Sequence, residues 1–339
     1  MLTIALDVMG GDHGSSVVLP AALQFLKKRS DFGLMLVGDQ QIIETELAKL
    51  GASVGERLVI QHASQCVEMD ELPSKALRFK KDSSMRVAIN MVKEGRAQAC
   101  VSAGNTGALM ATARFVLKTL PGIDRPAICT SLPSTKGHTW MLDLGANIDS
   151  TPEQLFQFGL MGSVLAQAID GNQSPSVGLL NIGEEEMKGS DTVKQAAILL
   201  ADSPINYTGF VEGDDVYTGN VDVVACDGMV GNIALKSSEG VAKMISYFIK
   251  REFTRNLLTR LVALIAMPVL KSFRRQIDPR RYNGASLLGL RGSVIKSHGS
   301  ADIVSYGNAI EVAAAVIDRD IPELIKSRLQ AVMTTRQTI

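Results

Sequence analysis

The sequence is poor in cysteine, and the cysteines it has are not spaced for metal binding or disulfide pairing. Its four cysteines, Cys66, Cys100, Cys129 and Cys226, are widely separated and include no C-x-x-C pair. This spacing favours buried thiols in a reducing compartment over a zinc site or a disulfide framework. We therefore expect a cytoplasmic protein.

Long apolar segments are also missing. The longest strongly apolar run, residues 261–270, is about half of the roughly 20 residues that a membrane-spanning helix needs. The N-terminus reaches Asp7 and a glycine-rich stretch almost at once, so it lacks the basic start and apolar core of a secretion signal. The sequence predicts neither a transmembrane helix nor export by that route.

The chain has no excess of either charge, with 35 Lys and Arg residues against 35 Asp and Glu residues. This balance argues against a nucleic-acid-binding protein that coats a phosphate backbone. Common nucleotide fingerprints are absent as well: neither G-x-x-x-x-G-K-[ST] nor G-x-G-x-x-G occurs. The four histidines are scattered, so we predict no Ser-His-Asp triad.

What is present is an alternation of two kinds of segment. Strand-like runs such as LTIALDVM and FGLMLVGD alternate with segments such as SSVVLPAALQFLKK, whose apolar residues recur at a spacing of three to four. This alternation predicts a mostly parallel sheet covered by helices. Neither an internal repeat nor a proline-rich linker is evident, so residues 1–339 are expected to form one α/β domain.

A small polar turn separates a strand-like run from a helical pattern in CVSAGNTGALMATARF. It contains the predicted phosphate-binding residues Ser102, Gly104, Asn105, Thr106 and Gly107. Glycines let a backbone approach a ligand closely, and free N–H groups at the start of a helix attract anions. A second turn of this kind, CDGMVGNIALK, places Gly228, Gly231 and Asn232 before another helical pattern. The alternative is a pair of ordinary turns capped by Asn or Thr.

Other polar residues follow the predicted strands. They are Asp7, Asp12 and His13 in DVMGGDHG, Asp143 and Asn147 in LDLGAN, and Asn181, Glu184 and Lys188 in NIGEEEMKG. In a parallel sheet, ligands bind outside the carboxyl ends of the strands, so these residues are candidates for one site. The alternative is that the two aspartates cap helices or satisfy buried backbone groups. Three converging carboxylates could hold magnesium, but no spacing here is diagnostic of a metal site, and we predict none.

Cations lie on a glycine-rich segment near the C-terminus. Arg291, Lys296 and His298 occur in GLRGSVIKSHGSAD, which suits a negatively charged substrate. The alternative is a solvated loop that precedes the final helices.

Residues 241–281 form a basic segment inside the neutral chain. They include ten Lys or Arg residues and two acids, a balance of 10 − 2 = +8. Apolar residues at helical spacing continue to Pro268, where a helix should kink or end, so we predict a projecting helical hairpin. Its cations, among them Arg260, Lys271, Arg274 and Arg275, could contact a membrane surface or an acidic carrier protein. The alternative is a helix pair buried in a dimer interface.

Five segments occur in one order along the chain: DVMGGDHG, SAGNTGALM, LDLGAN, CDGMVGNIALKSSEG and NGASLLGLRGSVIKSHGSAD. Together they closely resemble the phosphate acyltransferase family of bacterial phospholipid synthesis. The resemblance implies transfer of a fatty acyl group from acyl-[acyl-carrier protein] to inorganic phosphate, without a cofactor, to give acyl phosphate. It also implies a homodimer with a three-layer α/β/α fold, similar to the isocitrate and isopropylmalate dehydrogenases. The enzyme would work at the inner face of the membrane, ahead of a glycerol-3-phosphate acyltransferase.

The expected chemistry suits these residues. Near pH 7 phosphate is already ionised, since the second pKa of a phosphate group is about 6, so the nucleophile needs positioning more than a strong base. Our hypothesis places phosphate on the turn at residues 102–107, with Lys188 and His298 reaching it and Asn232 donating to the thioester oxygen. Lys188 is the strongest catalytic candidate because the resemblance includes its NIGEEEMKG motif, although the neighbouring acids could instead hold it in a surface ion pair.

Three other functions compete with this one. A metal- and NAD-dependent dehydrogenase would need a nucleotide site and a metal cluster, and the sequence shows neither. A phosphotransacetylase-like enzyme that uses acyl-coenzyme A performs the same chemistry, and the sequence separates the two donors poorly. A membrane-associated scaffold for lipid-synthesis enzymes would leave the polar turns without a purpose.

Overall fold

The computed structural model describes residues 1–337, except for the side chains at positions 274, 275, 277, 279 and 333–337. The strands are β1 (Leu2–Asp7), β2 (Phe32–Gly38), β3 (Leu58–His62), β4 (Ala99–Ser102), β5 (Ala127–Ser134), β6 (Gly137–Leu142), β7 (Val177–Leu180), β8 (Tyr207–Val211), β9 (Val223–Ala225), β10 (Ala285–Leu288) and β11 (Ser293–Lys296). The helices are α1 (Ser15–Lys28), α2 (Gln40–Lys49), α3 (Pro73–Phe79), α4 (Ser84–Lys93), α5 (Thr106–Leu117), α6 (Pro152–Asp170), α7 (Asp191–Ala201), α8 (Gly228–Thr254), α9 (Leu257–Ile277), α10 (Ile303–Asp318) and α11 (Ile321–Gln337).

All eleven strands form one sheet in the order β3-β2-β1-β4-β11-β10-β5-β6-β9-β7-β8. Seven of the ten strand pairings are parallel, which confirms the predicted mostly parallel sheet. The antiparallel pairings join β11 to β10, β10 to β5 and β5 to β6. Because of these reversals, the half formed by β3, β2, β1, β4 and β11 runs opposite to the half formed by β6, β9, β7 and β8. The carboxyl ends of the two halves therefore lie at opposite edges of the sheet.

Helices cover both faces of the sheet. Successive residues of a strand point to opposite faces, so each buried strand contributes side chains to the apolar layers on both sides. In β1, Ile4 and Leu6 contribute to one apolar cluster, whereas Ala5 contributes to another. The first cluster is completed by α1, α2, α6, α7, α10 and α11. The second is completed by α3, α4, α5 and the beginning of α8. The predicted three-layer α/β/α arrangement is thus confirmed.

The basic segment forms the predicted pair of helices, although the turn between them is not where the proline suggested. Helix α9 continues through Pro268, and the chain turns instead at Asn256, whose side chain caps α9 by accepting from the Thr259 N–H. Among the side chains described between residues 232 and 277, none is buried. The two helices therefore project from the sheet. None of the described helices has the combined length and apolar composition needed to cross a bilayer.

Candidate functional site

The polar turn at residues 102–107 connects β4 to α5, as the sequence predicted. The Asn105 side chain caps α5 by accepting from the Ala108 N–H at 3.0 Å, and its amide nitrogen donates to the carbonyls of Met69 and Glu71. Asn105 is therefore committed to holding the turn. Within the described part of the chain, the N–H groups of residues 105–107 donate no hydrogen bond. Unpaired N–H groups at the start of a helix attract anions, so this turn is suited to bind one.

A buried network of hydrogen bonds holds this turn in place. The Ser102 hydroxyl donates to Oδ2 of Asp7 at 2.6 Å and accepts from the Gly104 N–H at 3.1 Å. Burial raises the pKa of Asp7, and the Ser102 hydrogen bond opposes that shift. A Cβ on Gly10 would lie 2.5 Å from Asp7 Oδ2, so glycine is required where this loop crosses the carboxylate. Asp7 and Ser102 thus shape the turn and do not themselves face solvent.

Lys296 ends β11 beside this turn, paired in register with Ser102 of β4. Its side chain is 9% exposed, and its ammonium donates to the Ala103 carbonyl at 3.3 Å and to the Ser297 carbonyl. Burial and the neighbouring charge of Lys236 lower the pKa of Lys296 to about 8, although Asp7 and Asp12 oppose the shift. An ammonium has three donors, so one N–H remains for a ligand.

His298 lies two residues further along the same segment, and its hydrogen bonds determine which ring nitrogen carries the proton. Nδ1 accepts from the Ser300 N–H at 3.2 Å and lies 2.9 Å from the Ser300 hydroxyl. Partial burial and the positive charge of Lys236 lower the pKa of His298, so the neutral ring is favoured at pH 7. With Nδ1 used as an acceptor, the neutral ring carries its proton on Nε2. His298 is therefore a hydrogen-bond donor at this position.

The loop between β1 and α1 reaches the same edge. The Asp12 N–H donates to the Gly299 carbonyl at 2.9 Å, and Asp12 and His13 are both exposed. Asp7, Asp12, His13, the turn at residues 102–107, Lys296 and His298 thus gather at one edge of the sheet. Among the residues that the structure describes, no group of three or more His, Cys, Asp or Glu side chains is arranged to hold a metal ion.

The second turn is not a counterpart of the first, which corrects our sequence interpretation. A Cβ on Gly228 would lie 2.2 Å from the Asn147 carbonyl, and one on Gly231 would lie 2.0 Å from the Asp143 carbonyl. The glycines at the start of α8 therefore allow close packing against the backbone of the loop that follows β6. The two turns have similar sequences, but their glycines are required for different physical reasons.

The Asp143 carboxylate and the Asn147 amide nitrogen are both hydrogen-bonded within the protein. Oδ1 of Asp143 accepts from the N–H groups of Ile128 and Ala146, and Oδ2 accepts from the backbone and side-chain nitrogens of Asn147. Asn147 also donates to the Pro126 carbonyl. These bonds favour the capping alternative over a direct catalytic role.

Lys188 is not brought beside the phosphate turn within one chain. It follows β7, and six steps of about 4.8 Å across the sheet separate β7 from β4, or roughly 29 Å. The two strands also end at opposite edges. The Lys188 ammonium lies 2.8 Å from Glu185, which raises the pKa of Lys188, and the side chain is 44% exposed.

The structure also separates Arg291 from that turn, whereas it places Asn232 one helical turn before Lys236, which lies near the site. Arg291 precedes β11, whereas Lys296 ends it, so the whole strand lies between them, and Arg291 donates to the Thr119 carbonyl. Asn232 is exposed on α8, where its side chain lies beside Gly145. Four residues later on α8, Lys236 is close enough to affect Lys296 and His298. Sequence reasoning missed Lys236, although its i+4 spacing from Asn232 places both on one helix face.

Residues 51–55 read GASVG, which matches the pattern G-x-S-x-G of a nucleophilic serine. A nucleophilic serine elbow joins a strand to a helix. Here the pattern lies between α2 and β3, which is the reverse order. Ser53 is therefore not placed as a nucleophile. Arg260 and Lys271 are exposed on α9, while the side chains of Arg274 and Arg275 lie outside the described residues.

Known proteins resemble this chain along almost its whole length. A family model described as "Fatty acid synthesis protein" matches residues 2–324. The phosphate acyltransferase of Nitrosococcus oceani is 59% identical over 338 residues, covering 100% of this chain and 99% of that protein. The phosphate acyltransferase of Methylococcus capsulatus is 60% identical, covering 99% of each. The chain belongs to the phosphate acyltransferase family.

The fold of this phosphate acyltransferase family member is shared more widely. A phosphotransacetylase from Streptococcus pyogenes superimposes with a TM-score of 0.62 over 94% of each chain, although the sequences are 18% identical. At this identity the similarity shows the fold alone. It agrees with the mostly parallel sheet covered by helices.

Proposed function

We propose that this family member transfers a fatty acyl group from acyl-[acyl-carrier protein] to inorganic phosphate, forming acyl phosphate for phospholipid synthesis. The observation that carries the proposal is the anion site at the start of α5. Free N–H groups, a buried lysine and a neutral histidine donor meet there, and neither Lys296 nor His298 forms an ion pair within the described part of the chain.

Each of these groups has a part in the transfer. The N–H groups of residues 105–107 and the Lys296 ammonium hold the phosphate, which needs no base because it is already ionised. Nε2–H of His298 donates either to phosphate or to the oxyanion that develops on the thioester carbonyl. As the phosphate oxygen forms its bond to the carbonyl carbon, the carbon–sulfur bond breaks. The carrier thiol leaves as a thiolate with little need for protonation, because its pKa is about 8.5.

The reaction can be tested directly with the purified protein. Palmitoyl-carrier protein and inorganic phosphate are incubated without metal or nucleotide, and acyl phosphate is trapped with hydroxylamine. We expect a hydroxamate that forms only when phosphate is present. Product with palmitoyl-coenzyme A but not with the carrier protein would move the function to coenzyme-linked chemistry, and no product with either donor would contradict the proposal.

We assign the helical pair α8 and α9 to a homodimer interface and to peripheral contact with the inner face of the membrane. Large apolar side chains are exposed along both helices, among them Tyr247, Leu258 and Ile265, with cations between them. A basic amphipathic surface of this kind binds anionic lipid. The Arg260→Glu/Lys271→Glu variant should float less with anionic vesicles than the unmodified protein. Equal flotation would remove these two residues from membrane contact.

The family resemblance is the reason to keep Lys188 as a catalytic candidate, although a single chain does not bring it beside the phosphate turn. Lys188→Ala tests this role: a fall in kcat of about 100-fold, the usual cost of one transition-state donor, is expected if the assembled enzyme brings Lys188 to the reacting groups. The thermal midpoint of the variant should be unchanged, since an exposed ion pair contributes about 1 kcal/mol or less. Glu185→Gln is the control, because it removes the ion pair and keeps the amine. Unchanged kcat in Lys188→Ala would remove Lys188 from the mechanism.

A further inference from the structure

A cationic surface on the second face of the sheet is not used by the chemistry described above. We call it the α3–α5 face; it comprises Lys75, Arg78, Lys80, Lys81, Arg86, Arg114 and Lys118. Residues 68–86 contribute five cations and four acids, and residues 106–118 contribute two cations and no acid, a balance of 7 − 4 = +3. Three of the acids, Glu68, Asp70 and Glu71, precede α3, and the fourth, Asp82, is occupied by hydrogen bonds from the backbone and hydroxyl of Ser64.

The pairing of these cations decides whether their charge is available to a partner. Across the residues described, none of the seven forms an ion pair. Arg86 and Lys118 instead lie 5.1 and 4.8 Å from the centre of the Phe115 ring, and Arg78 lies 5.2 Å from that of Phe79. The two contacts with Phe115 join α4 to the end of α5, and α3 packs against the start of α5 through Pro73 and Gly107. The positive charge of the α3–α5 face is available to a partner.

Apolar side chains are exposed on the same face. Leu72, Phe79 and Phe115 are 58%, 63% and 53% exposed. Exposed aromatic residues set among arginines are typical of protein interfaces, where such residues provide much of the binding energy. A small anion would not need this apolar surface, whereas an acidic protein with an apolar contact region would use both.

The α3–α5 face begins at the rim of the phosphate turn. A Cβ on Gly107, the second residue of α5, would lie 2.8 Å from the ring of Pro73, the first residue of α3. The Asn105 side chain also holds the backbone of Met69 and Glu71 just before α3. A protein bound to the α3–α5 face would therefore present a flexible attached thioester at the phosphate site.

We propose that the α3–α5 face is the docking surface for the acidic carrier protein that delivers the acyl thioester. The inference rests on the proposed function, and it assigns the carrier to a surface other than the pair α8 and α9. On that pair, Lys236, Arg251 and Arg255 are paired with Glu239 or Glu252, but Lys243, Lys250, Arg260 and Lys271 form no ion pair among the described residues, so ion pairing alone does not separate the two surfaces. The α3–α5 face is favoured because it directly borders the phosphate turn.

The test is the steady-state kinetics of the Arg78→Glu/Lys81→Glu variant with palmitoyl-carrier protein and phosphate. Both residues are exposed, so the fold should be retained. We expect the KM for palmitoyl-carrier protein to rise about tenfold or more, with kcat and the KM for phosphate unchanged. Raising the salt concentration should raise the carrier KM of the unmodified enzyme and affect the variant less.

Two matched variants identify the surface. Lys27→Glu/Lys28→Glu makes the same change in charge on α1, on the opposite face of the sheet, and should leave the carrier KM unchanged. Arg260→Glu/Lys271→Glu tests α9. An unchanged carrier KM in Arg78→Glu/Lys81→Glu, or an equal rise in the α1 variant, would overturn the assignment. Absence of acyl transfer in the unmodified enzyme would instead contradict the proposed function, so the two failures are distinguishable.

Discussion

Lys296→Met is expected to lower kcat/KM for phosphate about 1,000-fold, at the upper end of the cost of removing one preorganised donor. The large effect follows from burial, since a charge in a site that excludes water acts more strongly than one in solvent. The loss should appear in the KM for phosphate as well as in kcat, because the ammonium binds phosphate before the transfer begins. The KM for the carrier protein should not change.

The folded state should tolerate this change. Replacement of a buried ion by an apolar side chain of similar shape is commonly neutral or stabilising, so the thermal midpoint of Lys296→Met should be unchanged or higher. Lys49→Met removes an exposed lysine on α2 and should change neither the kinetics nor the thermal midpoint appreciably. Wild-type use of phosphate by Lys296→Met would exclude Lys296 from phosphate binding.

The pH dependence provides an independent test. Asp7, Asp12 and Lys236 face Lys296, whose pKa is about 8 in the free protein, so its ammonium is charged below pH 8 and loses its proton above it. In the unmodified enzyme, kcat/KM for phosphate should therefore fall about tenfold for each pH unit above pH 8. Lys296→Met should lack this decline. A decline that persists in the variant would assign the titration to another group.

Gly231→Ala should destabilise the protein by about 3 kcal/mol or more. The new Cβ would meet the Asp143 carbonyl at 2.0 Å and the Cys226 sulfur at 2.8 Å. A backbone carbonyl cannot rotate away as a side chain can, so α8 would have to move from the loop that follows β6. An unfolding entropy of about 2.1 cal/mol/K per residue gives about 1.4 °C for each kcal/mol in a chain of 339 residues, so the thermal midpoint should fall by at least about 4 °C.

Gly240→Ala in the same helix is the matched control. No heavy atom lies within 4 Å of the position that its Cβ would take. Alanine in an open helix interior is favoured over glycine by about 0.5–1 kcal/mol, so this variant should melt at the same temperature or slightly higher. Similar melting of the two variants would show that the start of α8 is not closely packed.

The sequence predicted the architecture well because its signals were local. Alternating strand and helix patterns specify which segments form strands and helices and which of their faces are buried. The sequence predicted these elements correctly from β1 to β4. The direction of β6, β7 and β9 was not predictable in this way. It depends on the antiparallel pairing of β10 with β5, which are far apart in sequence, as well as on the local reversals from β5 to β6 and from β10 to β11.

That reversal also explains the mixed outcome for the candidate site. Ser102, Lys296 and His298 converge because β4 and β11 are parallel neighbours. Lys188 ends at the other edge because β7 belongs to the half that runs the opposite way. The two glycine-containing turns looked alike in sequence, but the glycines of the second pack against the backbone of Asp143 and Asn147. Such tertiary contacts leave no local pattern.

The positions of β10 and β11 have a consequence for synthesis of the protein. These two strands come from residues 285–296, yet they fill the middle of the sheet between β4 and β5. A ribosome therefore completes both halves of the sheet before it delivers the strands that join them, and the edges of β4 and β5 stay open until then. Ser293 must pair with Ala99 across 293 − 99 = 194 positions, so closure is late and slow. A chain truncated before residue 285 would retain two unjoined half-sheets with aggregation-prone edges, and no part of it could supply Lys296 to the phosphate turn.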